Sequence, residues 1–564
     1  MPRTAPQTVL AAFLAVAAIA PSVGAQQFVQ QTSTRFPTQN EYSNQCSAVD
    51  IDNDGDLDLV WANGQGYSTQ GTQLQMRVYV NNGAGVFADE SSTRAAGVVG
   101  WYRGVEAGDV DRDGDMDLVL ANDFNKRPQL LINNGAGVFA DQTTARLPNI
   151  TMSSARAQFG DVDNDGDLDL VFCNNGTTRF GSGQPRMFAN NGNGIFIDAT
   201  ANLPAGNVAE QMDILFFDVD NDLDLDIFLA TRASSPNQSR LWKNDGAGRF
   251  SLQSGVPNDA ASYSYDAGDI DGDGDLDLIG INAGPSNGEL VLKNNGDGTA
   301  WTNVSSSMTP NPTTDDNDSR FFDLDMDGDL DLVVGSLGAR DRIYLNNGSG
   351  AFTETTTLMA AVADSTIDVK VADFDGDKRF DIVTAQGESG SFQNKIFMNL
   401  TGPVDNRAPR IAQVDQAATG GAAPADRAVR ANIYDDMTSD RGFHDKGVAL
   451  NWRVNGGSPQ SAAMRWNGNN QWRGVIPAQA PAAAVEYWVT AVDFAGNVGT
   501  GATRSYVEGG TAGSPADLNG DGVVNGADLG AMLASWGQPG AADLDGSGTV
   551  DGADLGALLA AWTG

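Results

Sequence analysis

The chain has 564 residues and a formal net charge of −39. A chain of this length holds more than one domain, and one this acidic lacks the clustered Lys and Arg that nucleic-acid binding requires. Hydrophobic residues make up 41%, so the acidity does not signal disorder but a charge gathered in loops.

Residues 1–25 read as a signal peptide. Arg3 is the positive start, residues 9–20 form an apolar run, and Val23-Gly24-Ala25 is a small-residue cleavage site. The run is short for a membrane span. The mature chain is therefore expected to be secreted or at the cell surface, and not membrane-spanning. Loss of Arg3 with the leader takes the charge to −40. Cys46 and Cys173 fall on distant repeats and are expected as buried free thiols. The single histidine, His444, lies outside the repeats. That removes His-based triads and His-ligated zinc from them.

One nine-residue phrase then recurs seven times. Residues 50–58 offer Asp50, Asp52, Asp54 and Asp58. Residues 109–117 offer Asp109, Asp111, Asp113 and Asp117, and residues 161–169 offer Asp161, Asp163, Asp165 and Asp169. Next come Asp218, Asp220, Asp222 and Asp226, then Asp269, Asp271, Asp273 and Asp277. The last two sets are Asp323, Asp325, Asp327 and Asp331, and Asp373, Asp375, Asp377 and Asp381. Carboxylates at positions 1, 3, 5 and 9 and the position-7 carbonyl suit one Ca²⁺, and glycine at position 6 allows the sharp turn. Leu223 replaces that glycine in the fourth loop, and Lys378 and Arg379 fill positions 6 and 7 of the seventh. Those two loops are expected to be the weakest sites.

Each loop leads into a strand such as LDLVWAN and then a third strand such as RVYVNN; in the first six repeats a tight Asn-Gly hairpin (Asp-Gly in the fourth) and a fourth strand such as FADESSTR follow. Seven fourth-strand pieces accompany seven loops, but the first precedes loop one. The N-terminal strand is thus expected to complete the last repeat and close a ring without open edges. These repeats resemble FG-GAP/VCBS repeats of integrin-α-like proteins. The resemblance covers 26–402 and implies a seven-bladed, calcium-binding β-propeller, a fold that serves adhesins, lectins and enzymes alike. Up-and-down blades would place the uniform loops and hairpins on one face and the variable loops on the other. Tyr67, Trp101, Tyr102, Arg103, Phe180, Tyr263 and Tyr265 are the candidate ligand-binding residues of that variable face.

Residues 403–509 carry short strand-like runs and are expected to form an Ig-like or fibronectin-III-like sandwich acting as a spacer. A linker (510–515) leads to two twelve-residue loops, each followed by a helix. Asp517, Asn519, Asp521, the Val523 carbonyl, Asn525 and Asp528 would ligate one Ca²⁺. Asp543, Asp545, Ser547, the Thr549 carbonyl, Asp551 and Asp554 would ligate another. Leu529, Met532, Leu533 and Trp536, like Leu555, Leu558, Leu559 and Trp562, recur at helical spacing and are expected to form one packing face per helix. This pair (516–564) resembles a type I dockerin, which implies attachment to a cohesin-like partner. The family's reading positions fall on Gly526, Ala527, Gly552 and Ala553, without the hydroxyl pair common there.

Nine Ca²⁺ would bring the mature charge to −22. No G-x-S-x-G, H-E-x-x-H or P-loop motif is present. The expected function is calcium-dependent binding or adhesion, with the propeller face holding a ligand and the tail attaching the protein to an extracellular assembly. The alternative is a lyase-type polysaccharide-degrading enzyme with Lys126 or Arg103 as base.

Overall fold

The computed structural model describes residues 28–233, 239–257, 259, 261–284, 287–387, 390–420, 424–436, 443–509, 514–519 and 523–562. The leader, Asp521 and the side chain of His444 lie outside the described residues. The fold is mainly β, with repeat-like sheets.

Seven repeat units follow one another: five form separate four-stranded antiparallel sheets, and the sixth and seventh share one eight-stranded sheet, joined where Leu337 pairs with Ser365. The first comprises Ser43–Val49, Asp58–Asn63, Arg77–Asn81 and Phe87–Asp89. Its second strand is buried at every residue, because it is flanked in the sheet and covered on both faces. Its third alternates in part, and its fourth buries only Phe87. The seventh unit comprises Ala363–Ala372, Asp381–Gln386 and Lys395–Asn399, completed by the N-terminal Phe28–Gln30. There Phe28 pairs with Asn399 and Gln30 with Phe397, as the phase offset anticipates. Each unit's first strand packs beside the next unit's, and the seventh packs beside the first. Cys46, Leu59 and Trp61 share one core with Ala372, Val383 and Ile396, joining the two ends. Cys46 and Cys173 are free and buried.

A repeated asparagine staples unit to unit. Asn190 Nδ2 donates to Val110 O of the preceding unit at 2.8 Å, and Asn244 Nδ2 to Val162 O at 2.8 Å. Asn81 of the first unit donates to Phe374 O of the seventh at 2.9 Å. Asn190→Ala would leave the Val110 and Leu168 carbonyls buried and unbonded. It is expected to cost about 2–4 kcal/mol in urea unfolding of the calcium-loaded protein. A change below about 0.5 kcal/mol would remove the staple from this account.

Beyond the repeats, Arg410–Val414, Arg427–Tyr434, Gln471–Ile476 and Arg465–Gly468 form one sheet. Phe443–Val454 and Ala484–Asp493 anchor a second. Val429, Leu450, Trp472, Tyr487 and Val489 fill the core between them. This body is not a detached spacer. Its first sheet lies against the acidic loops, with Trp466 packed into the core of the second and third units and Tyr434 against that of the fourth and fifth. The tail consists of two short helices, Gly526–Ala534 and Gly552–Ala560. Met532 and Leu558 are buried, but Leu533, Trp536, Leu559 and Trp562 are 39–53% exposed. The expected packing faces are thus split, because two nine-residue helices offer each other only one narrow stripe.

Candidate metal centres

Each acidic loop is held by its own backbone. Asp50 Oδ2 accepts the Gly55 N–H at 3.0 Å, and the third and sixth loops repeat this at 2.9 and 2.8 Å. Position 4 takes a left-handed conformation in all seven loops, from φ 59° at Asn221 to 72° at Gly272 and Gly376. Glycine and asparagine accept that conformation at low cost, which accounts for five of the seven residues found there. At position 6, Leu223 and Lys378 have φ 67° and 66°, a strained setting for residues with a Cβ.

Position 9 ties the loop to the sheet. Asp58 accepts the Ile51 N–H at 3.2 Å and the Asn81 N–H at 2.7 Å. In five of the loops the position-3 carboxylate meets an Arg or Lys on its outer oxygen. Arg94 reaches Asp52 at 2.8 Å, Arg146 reaches Asp111 at 3.1 Å, and Arg35 reaches Asp375 at 3.1 Å. These arginines end the recurring Ser-Thr-Arg or Thr-Ala-Arg turns. The turns were legible as a repeat, but their partners were not.

The inner oxygens are arranged for a cation. Carboxylate oxygens of positions 1, 3 and 9 gather within 4.8 Å in the first four loops, and those of positions 1, 3 and 5 do so in the fifth. Every one of the seven loops keeps a buried Oδ1 with no hydrogen-bond partner among the described residues: Asp50 and Asp52, Asp111, Asp161, Asp220, Asp269 and Asp271, Asp325, and Asp375. A buried, unpaired carboxylate oxygen is costly, and a hard divalent cation with oxygen ligands removes that cost. The residues therefore fit calcium.

Burial also perturbs their acidity. Desolvation pushes Asp58, Asp117, Asp277 and Asp381 up to about 8 and Asp331 to about 9, with backbone N–H bonds opposing it. A folded-state pKa above the unfolded 3.8 means that the metal-free fold binds the extra protons and loses stability as pH rises from about 4 to 8. Calcium must displace those protons. Titration at pH 7 is expected to release several protons per chain, roughly one per loop. Calorimetry in buffers of different ionisation enthalpy reads this, and buffer-independent heats would contradict it.

In the tail, Asn525 and Asp551 cap their helices through Ala527 N–H and Ala553 N–H. Asp528 accepts from the backbone of Leu518, Asn519 and Asn525, and Asp554 from that of Leu544, Asp545 and Asp551. Three of a carboxylate's roughly four lone-pair sites are thus taken at each position 12.

The second body meets the loops at their most irregular members. Gln471 Nε2 donates to Leu223 O at 2.7 Å, and Arg430 Nη1 donates to Leu223 O and to Asp224 Oδ1 at 2.5 and 2.6 Å. Lys378 Nζ donates to Ala495 O at 2.6 Å, and Lys378 O accepts the Asp405 N–H at 2.7 Å. The two departures from glycine are thus both docking residues. Asn432 Nδ2 also donates to Asp218 Oδ2 at 2.7 Å, and Arg410 Nη2 to Asp269 Oδ2 at 3.1 Å. These bonds orient position-1 carboxylates from outside, as second-layer partners of metal ligands do.

The repeat phase, the loop geometry and the unpaired oxygens agree with a family model described as the FG-GAP-like repeat. It matches residues 50–120, 111–172, 218–280 and 323–384. The chain carries FG-GAP-like repeats. Three of the four matches begin on position 1 of a loop, and the fourth begins on position 3. No curated protein matches the chain. Among solved structures, 130 chains match. One of them, the crystal structure of the Br derivative BhCBM56, is 17% identical, covers 16% of this chain and 89% of its own, and has a TM-score of 0.13.

The FG-GAP-like repeats also place the variable-face candidates. Trp101, Tyr102, Tyr265 and Arg103 are all at most 8% exposed. Trp101 Nε1 donates to Gly71 O at 2.7 Å, Tyr102 Oη donates to Gln129, and Tyr265 Oη donates to Asp259 at 2.8 Å. Tyr102 and Tyr265 are structural rather than ligand-facing, because their strand positions turn them into the cores between units, and Trp101, between two strands, is covered edge to face by Phe124 at 6.5 Å. Lys126 is engaged as well, 5.1 Å above the Trp101 ring. Tyr67, Phe180 and Tyr263 remain half-buried and come together, although they belong to the first, third and fifth units. Tyr67 Oη lies 3.4 Å from Tyr263 Oη, and the Tyr67 and Phe180 rings meet edge to face at 5.0 Å. No helix among the described residues is long and apolar enough to cross a membrane.

Proposed function

We propose that this protein is a secreted, calcium-stabilised binding protein whose variable loops hold a glycan or protein ligand. In this reading residues 26–402 are a closed seven-bladed propeller carrying seven Ca²⁺, and 403–509 an Ig-like sandwich seated on its calcium face. Residues 510–515 are a linker. Residues 516–564 are a dockerin-like tail with two further sites. The observation that carries the reading is the meeting of Tyr67, Phe180 and Tyr263 on the face that the sandwich leaves open. Partly exposed aromatic rings gathered from separate units form a platform for a sugar ring or an apolar side chain.

The tail supplies the attachment. Leu533 with Trp536, and Leu559 with Trp562, are two exposed apolar pairs at equivalent positions, the leucines near the ends of two near-identical helices and the tryptophans just beyond them. A pair of this kind suits a cohesin-like partner in either of two orientations.

The test is an array of glycans and extracellular proteins probed with the calcium-loaded full chain. Binding that is lost in Tyr67→Ala/Phe180→Ala supports the reading. Equal binding by that double variant overturns the site, and shortened or unsaturated glycan products would replace binding by lyase chemistry.

A further inference from the structure

We infer that the pocket among the seven first strands binds the carboxylate of an acidic sugar residue. This deepens the variable-face reading and rests on it.

The pocket is built by a repeated irregularity. Strand pairing slips by one residue at Asn44, Arg103, Met212, Tyr263, Asn317 and Ile367, the same point in six first strands. Such a bulge re-aims the extra side chain, and bulges favour functional sites. All six side chains line one pocket, joined there by Arg156 before the remaining first strand and by Arg179 from a variable loop. All seven units thus deliver a residue to one place.

The chemistry of that place is opposite to that of the chain. Its lining holds Arg103, Arg156 and Arg179 and no carboxylate, in a protein of net charge −39. The acids stand behind. Asp123 is shared by Arg103 at 3.1 Å and Arg179 at 3.6 Å. Arg156 faces Asp368 at 3.4 Å and Asp213 at 3.6 Å. Arg179 Nε is buried and has no hydrogen-bond partner among the described residues. Its guanidinium lies 5.6 Å from the Tyr67 ring centre and 5.5 Å from that of Phe180, which fixes it over the pocket.

Size and surroundings select the ligand. The cavity measures about 40 Å³, and one water takes roughly 10–15 Å³ on that scale. It admits a carboxylate but not a pyranose ring. The ring must remain outside, where Tyr67 and Phe180 offer aromatic surface and the Tyr263 hydroxyl, 3.4 Å from that of Tyr67, offers a hydrogen bond to a sugar hydroxyl. An acidic peptide side chain would satisfy the arginines but leave this outer shelf unused.

The test is calorimetric titration of the calcium-loaded full chain with glucuronate, glucose, N-acetylaspartate and sulfate. Glucuronate is expected to bind at least about tenfold more tightly than each of the others, as a guanidinium–carboxylate bond is worth. Arg179→Met, which keeps the apolar stem, is expected to abolish that preference, and Arg179→Lys to restore part of it. Unchanged thermal melting of both variants checks their folds. Equal binding of sulfate would mean an adventitious ion only, and tighter N-acetylaspartate would overturn the sugar assignment. Glucose binding as tight as that of glucuronate, sensitive to Tyr67→Ala/Phe180→Ala, would sink this inference and leave the variable-face reading standing. Absence of all binding in the titrations and on the array would overturn both.

Discussion

Chelation with EGTA at neutral pH is expected to abolish the cooperative thermal transition of the repeat region. One site at a free calcium concentration a thousand times its Kd contributes about 4 kcal/mol to the folded state. Seven such loops together exceed the roughly 5–15 kcal/mol that a domain usually possesses. Removing the ions also restores the repulsion among carboxylates held within 4.8 Å of one another. Lower pH should partly rescue the metal-free chain, because the position-9 carboxylates then take up protons instead. Circular dichroism across a temperature ramp, with and without EGTA, reads the effect. A melting curve that EGTA leaves unchanged would show that the loops are solvated turns.

Arg430→Ala is expected to release the sandwich from the repeats. The guanidinium donates to Asn164 Oδ1 at 2.7 Å, to Leu223 O and to Asp224, while Asp415 accepts from its Nε at 3.0 Å. Removing one partner of so enclosed a charge network costs about 3–5 kcal/mol. The interface also depends on Gln471, Asn432 and Lys378, yet a loss of this size would tip a weak intramolecular contact towards the open form. Small-angle scattering should then show a larger radius of gyration at unchanged calcium content. Identical scattering curves for Arg430→Ala and the parent chain would place the docking energy elsewhere.

Local, periodic features were legible in the sequence. The seven Asp loops, the Asn-Gly hairpins and the displaced N-terminal strand each repeat a short-range rule. The pairing of Phe28–Gln30 with Lys395–Asn399 follows from counting them. The direction of individual side chains was less legible. Tyr102 and Tyr265 looked equivalent to Tyr67 as loop aromatics, but one residue of register decides between core and surface. A bulge shared by six first strands decides which side chains reach the central pocket, and no residue type marks it. The sandwich contact was hidden for another reason. Arg430 and Leu223 stand 207 positions apart, and Arg430 belongs to no recognisable motif. In hindsight, Leu223 and Lys378 were signals. A loop that gives up its position-6 glycine accepts strain, and here both such loops spend it on docking. The tail's Leu533 and Trp536 looked like core by spacing alone, but a two-helix body is too small to bury both stripes.

Metal content measures the central claim most directly. The full chain, equilibrated with millimolar calcium and desalted into calcium-free buffer just before plasma mass spectrometry, is expected to retain most of nine ions, seven in the repeats and two in the tail. Asp→Asn changes at positions 1 and 3 of one loop should lower the count by one. Retention of no more than two ions, or a count unmoved by those changes, would contradict the reading of the repeats as calcium centres.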